Sequence, residues 1–306
     1  MALKLFKPVF WTFVALGPAA VLWGTPLATD ADAKAKEALK HRQAIHTLVD
    51  QKDPTGAPAL KEGLSDKDPM VREMSIQGLH ALNAADNAGL IAALLVKDPD
   101  PGVREEAALA LKEWNEPSTL AAVLHGSSDP VVSVRVICLE ALSSSPSPAA
   151  HQAIVRAAKD PAPEVRRTVM SLFAHASDPA LVPILTAALS DVDPAVRANA
   201  AQAIGFFAKL QTPKELKDLL NDPDDAVRAS AARSLAQKGD PQGVATALTL
   251  IQSSDHTARL IAVDALGYAH DDDAKVALAD LIAKDGDPYV RESAKLSLKR
   301  AHFDKK

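Results

Sequence analysis

The sequence predicts an all-α fold: a right-handed α-solenoid, or α–α superhelix, of about eight stacked helix pairs. Three observations carry that expectation. Eight arginines (Arg72, Arg104, Arg135, Arg166, Arg197, Arg228, Arg259 and Arg291) recur at spacings of 31 or 32 residues, seven after valine and Arg259 after Ala258. Six residues ahead of the arginine stands an aspartate in seven units (Asp66, Asp98, Asp129, Asp160, Asp191, Asp222 and Asp285), with Ser253 in the remaining one. Around each arginine an apolar stripe runs at positions −1, +3 and +7, and steps of four place it on one helical face.

Composition bounds the rest. Hydrophobic residues make up 47% of the 306 positions but aromatics only 4%, a profile of many short helices packed through alanine and leucine. Net charge is −5 and no basic stripe is present, so attraction to nucleic acid by counterion release is not expected. Cys138 is the single cysteine, which excludes an intrachain disulfide; at position +3, where other units carry Ser, Ala or Val, it reads as a small buried filler.

At the N-terminus, Lys4 and Lys7 precede an apolar run from Val9 to Trp23, and no charge occurs over the 22 residues from Pro8 to Thr29. Residues 1–29 read as a secretory signal peptide or as a retained membrane anchor. Either reading leaves the basic flank inside and carries the array across the membrane. The expected location is therefore extracytoplasmic: periplasmic or secreted, or anchored to the inner membrane through residues 8–29. No cysteine follows the run, so a bacterial lipoprotein anchor is excluded.

Residues 30–52 are predicted to form a capping helix, with Ala35, Leu39, Ile45, Leu48 and Val49 turned toward the first unit. The array itself is expected over residues 53–303. Each unit opens with a short helix A, often begun by proline (Pro117, Pro148, Pro179, Pro213, Pro241). Helix B follows, with an aspartate N-cap at −4 (Asp68, Asp100, Asp193, Asp224, Asp255, Asp287) and in five units a proline at −3. Neither helix can bury its stripe alone, so the pairs must stack on one another. Ser143 to Pro148, between repeats 3 and 4, is the candidate bend. Repeat 7 carries Ser253, His256 and Ala258 where other units have Asp, Pro and Val, and is expected to stack most weakly. Lys299 and Arg300 close the last helix, where cations complement its dipole.

The pattern Asp-x-Asp-Pro-x-Val-Arg, followed by Ala and in places by Leu266-Gly267 or Ile204-Gly205, resembles the short HEAT-like repeat of the phycobilisome-lyase type, an armadillo-type fold. The resemblance covers residues 53 to about 302. It implies that the −6 aspartates and the eight arginines form a structural ladder between successive units, a role suited to planar guanidinium donors. It also implies that helix B lines the concave side and that the array binds protein.

Some HEAT-like proteins are enzymes, but the residues their chemistry needs are not found in this sequence. Di-iron members use His-Glu dipeptides, and none of the nine histidines here is followed by glutamate. His41 and His46 diverge on a helix, and no phosphate loop or Gly-x-Ser-x-Gly elbow is present. The aspartates at 271–273 and 222–225 lack calcium-loop spacing and fall at helix starts. No catalytic, metal or cofactor residue is assigned. The expectation is a non-catalytic extracytoplasmic scaffold that binds an unidentified protein partner, with Val136, Phe206, Leu260 and Tyr268 as candidate anchors on helix B. A lyase- or oxidoreductase-type enzyme and an architectural spacer are the alternatives.

Overall fold

A computed structural model describes residues 30–51, 54–176, 178–207 and 211–301, with side chains of the first helix described from Leu39 onward. The predicted N-terminal signal or anchor, and the basic tail at 302–306, lie outside the described residues. Among those described there is no strand, and no helix is long and apolar enough to cross a membrane.

Helix α1 (Asp30–Gln51) precedes eight helix pairs. These are α2 (Ala57–Gly63) with α3 (Pro69–Ala81), α4 (Ala88–Lys97) with α5 (Pro101–Trp114), α6 (Leu120–Gly126) with α7 (Val132–Leu142), and α8 (Pro148–Ala157) with α9 (Pro163–Ala174). Then come α10 (Val182–Ala188) with α11 (Pro194–Phe206), α12 (Lys214–Asp218) with α13 (Asp225–Gln237), α14 (Pro241–Leu250) with α15 (His256–Leu266), and α16 (Asp272–Lys284) with α17 (Pro288–Arg300). The odd-numbered helices are the B helices, and each packs on the next from α1 to α17. The chain is an α-solenoid.

The helix starts obey the sequence. All six predicted −4 aspartates accept a backbone N–H from the first turn, as Asp100 does from Gly102 and Val103. Only α7 and α9, whose N-cap residues are Val131 and Ala162, lack a side-chain cap among the B helices of the repeats. The −1 valines are fully buried, as are Leu79, Leu111 and Ile204 at +7.

Helix α1 caps the array as expected, through buried Ile45 with Leu48 and Val49 packed beside it. Leu39, however, is 54% exposed, because α1 reaches past the first unit's apolar stripe there. The helix takes the place of a B helix against α3. His41 stands one period before Arg72, and its Nδ1 lies 2.9 Å from Asp66.

The buried side chains fall into two clusters that meet within α13. The first runs from Ile45 to Leu235 and holds 13 alanines among 44 buried residues. In the second, from Ala229 to Ala294, alanine supplies ten of seventeen, so backbones can approach more closely. On its repeat 6 side, repeat 7 lies close to its neighbour: α13 and α15 make the most extensive helix–helix contact among the described residues. Cys138 fills the predicted buried position, and burial pushes its thiol up to about 12. It occupies the space beside Gly126, where any side chain would press on its sulfur.

Candidate partner-binding face

The ladder sets the register of the surface. Arg72 forks onto Asp98 of the next turn, with Nε–Oδ2 at 2.7 Å and Nη2–Oδ1 at 2.6 Å. Arg104 does so with Asp129, Arg135 with Asp160, Arg166 with Asp191 and Arg197 with Asp222, all in the same two-point geometry. The remaining donor of each guanidinium reaches back to carbonyls of its own turn, as Arg72 does to Asp66 and Lys67. Each −6 carboxylate also accepts the N–H two residues on, closing the turn that aims it. One aspartate thus shapes a turn and joins two units.

The pairs are poorly exposed, and the charge balance follows. The forked hydrogen bonds raise the pKa of Arg72, Arg104, Arg166 and Arg197 against the cost of burial. Asp191 is held below the usual carboxylate range chiefly by Arg166. For Asp129 and Asp222 burial is the largest influence and acts upward, but their arginine and backbone hydrogen bonds outweigh it.

The ladder does not continue through all eight units. Ser253 keeps the turn, its Oγ accepting the Asp255 N–H at 3.0 Å, but offers no carboxylate. Arg228 therefore turns onto Asp225 of its own helix, and Asp225 also accepts the Ser253 hydroxyl. Asp225 occupies the position held by proline in five units, so the two departures compensate one another. Arg259 donates to the carbonyls of Ser253 and Ser254, and no fork onto Asp285 is among its described bonds. Arg291 bonds to the Asp285 carbonyl, with no later unit among the described residues to receive it.

Of the four predicted anchors, Phe206 is 50% exposed at the end of α11. Tyr268 is half-buried just beyond α15, while Val136 and Leu260 are half-buried and packed against the core. All three half-buried residues pack partly against the core and stay partly open to solvent. Phe206 and Tyr268 are brought together by Arg233, whose guanidinium lies 5.5 Å from the Phe206 ring centre and 5.7 Å from that of Tyr268. Arg300 lies 4.7 Å above Tyr268, and His175 stacks on the other side of Phe206 at 6.4 Å. Asp264 anchors both arginines. Burial acts to raise its pKa, but the two guanidinium bonds prevail and hold it low. The row His175–Phe206–Arg233–Tyr268–Arg300 crosses five successive B helices or their C-terminal ends. Sequence reading did not name the three charged or ionisable members as anchors, although each sits at +5 or +9 from its arginine.

Among the described residues, no group of three or more His, Cys, Asp or Glu side chains could hold a metal ion. An apolar hollow of about 320 Å³ lies beside Ser144–Ser147 and is lined mainly by Leu111, Leu120, Val123 and Leu142, with Glu116 as the one ionisable group on its wall.

A family model described as HEAT repeats matches residues 87–172, 152–221 and 213–299. Solved structures are among the similar proteins. One is an X-ray structure of YibA from Escherichia coli, 21% identical, with a TM-score of 0.58 over 83% of this chain and 96% of that one. Another is an engineered protein, also 21% identical, with a TM-score of 0.48 over 89% and 86%. No curated protein matches the chain.

Proposed function

The chain belongs to the HEAT-repeat family, and from that premise we propose that it is an extracytoplasmic scaffold that holds a protein partner along its B helices. HEAT-repeat arrays generally act as non-catalytic protein-binding scaffolds. The location rests on the charge and hydropathy of residues 1–29, whether that segment is cleaved or retained. The observation that carries the binding face is the row centred on Phe206, Arg233 and Tyr268. It combines an exposed aromatic with guanidinium groups, the side-chain types that concentrate binding energy at interfaces.

Crosslinking in native membranes, followed by recovery of the tagged chain, tests this reading. Phe206→Asp and Tyr268→Asp are expected to abolish a specific crosslinked species while leaving the helical spectrum intact. Unchanged recovery would favour the architectural spacer instead. Fractionation of the same cells would place the array, and a cytoplasmic result would remove the extracytoplasmic part.

A further inference from the structure

We infer that the B-helix face of repeats 1–3 is a docking groove for a cationic amphipathic helix of a partner protein. The inference rests on the scaffold reading and specifies the partner's chemistry at the opposite end from Phe206. On α3, α5 and α7 the outward positions carry five carboxylates, Glu73, Glu105, Glu106, Glu113 and Glu140, against one lysine, Lys112. They form a continuous strip across the three helices. Gln77 donates to Glu106 at 3.2 Å, the Ser133 hydroxyl donates to Glu105 at 2.5 Å, and Lys112 pairs with Glu140 at 2.5 Å.

Glu73 is the member least provided for. Its half-buried carboxylate lies against Gly102, in space that any larger residue at 102 would claim. Burial raises its pKa most, and the negative charges of Asp100 and Glu106 push it further. Arg72 lowers it only partly, being committed to Asp98. A cation arriving at this face would meet a carboxylate whose charge is poorly compensated. An anion would be repelled.

The floor is apolar. Met70 is exposed, and with Met74 it forms the α3 side of a hollow of about 400 Å³ whose α1 side is Arg42, Gln43, His46 and Thr47, the Arg42 guanidinium being taken up by Asp68. Leu109 and Val136 continue the apolar surface on α5 and α7. Methionine-bordered apolar surface accommodates a partner helix of varied shape, while the carboxylates select its charge. Three B helices at ~10 Å spacing offer about 20–30 Å, the length of a helix of about 14–20 residues.

The test uses the full chain and two labelled synthetic helices of about 18 residues. One has leucines on one face and lysines on the other; its companion carries glutamate in place of every lysine. Fluorescence anisotropy is expected to show binding of the lysine helix alone, weakened by added salt. The triple variant Glu73→Gln, Glu106→Gln, Glu140→Gln should bind it about tenfold more weakly or worse. Glu292→Gln, on α17, should bind as the unaltered chain does. Equal binding of both helices, no binding of the lysine helix, or full binding by the triple variant would overturn the inference. Comparing the two helices on the unaltered chain decides the matter even if the triple variant fails to fold. Loss of the crosslinked partner in Phe206→Asp bears on the scaffold reading separately.

Discussion

Repeats 1–6 and repeats 6–8 solve the same stacking problem with different interactions. In the first region, five guanidinium–carboxylate forks join successive turns, and branched or long side chains such as Ile76, Leu139, Met170 and Phe173 fill the space between helices. In the second, the forks give way to Arg228–Asp225–Ser253, alanine dominates the core, and Gly243 lets α14 press onto the backbone of α13. On the other edge Asp264 gathers Arg233 and Arg300, a cross-helix link without counterpart in the regular ladder. An individual link can be lost without loosening the array when small residues let helices approach.

The largest effect expected from breaking this contrast is at the most enclosed fork. Arg72 and Asp98 have side chains only 10% and 3% exposed, so Arg72→Ala strands a buried carboxylate and should cost about 3–4 kcal/mol. Arg259→Ala, which loses only bonds to Ser253 and Ser254 carbonyls, should cost about 1 kcal/mol. Urea denaturation followed by circular dichroism would compare them, and equal losses would erase the distinction between the regions.

Next comes the close approach in the second region. A side chain at Gly243 would collide with the Ala232 carbonyl and the Ala236 nitrogen, neither of which can rotate away. Gly243→Val should therefore cost about 2–3 kcal/mol, whereas Gly89→Ala, with open space around it in α4, should be neutral or stabilise by about 0.5–1 kcal/mol.

A smaller effect would sharpen the account of the interruption. Ser253→Asp alone places a second carboxylate beside Asp225, while Asp225→Asn alone removes the partner of Arg228. Together they should recreate a fork between Arg228 and position 253, giving a favourable coupling of about 1 kcal/mol in a double-mutant cycle. Additive effects would mean that Arg228 cannot swing back to the regular position.

The smallest effect per group concerns acid. Asp129, Asp191 and Asp222 titrate below their ordinary range when folded, so their contribution is complete above the unfolded carboxylate pKa of about 3.9. It is lost as pH falls through the lower folded values. Hydrogen exchange should show protection of α7, α9 and α11 declining below about pH 4. Protection of those helices that stayed unchanged down to about pH 2 would deny the forks a stabilising role.

Much of this was legible from spacing. The caps at Asp68, Asp100, Asp193, Asp224, Asp255 and Asp287 follow from the recurring residues, and the ladder, of which five forks form, was what the HEAT-like resemblance implied. The exchange of Pro for Asp225 together with Asp for Ser253 was also visible as two departures, though not as a pair. The face was less legible. Val136 and Leu260 occupy outward positions in a single helix yet are partly covered by neighbours, and Phe206 is more open.

What the sequence by itself determined is the repeated unit: its helix pair, its capped starts and its arginine–aspartate register. A fixed period carries equivalent atoms to equivalent places, so one local rule holds at each copy. Only the tertiary structure decided which surface residues stay open, how Arg233, Asp264, Tyr268 and Arg300 assemble, and why repeat 7 packs closely despite its missing aspartate. Those outcomes depend on how near adjacent helices come, and that distance is set jointly by side chains on both helices.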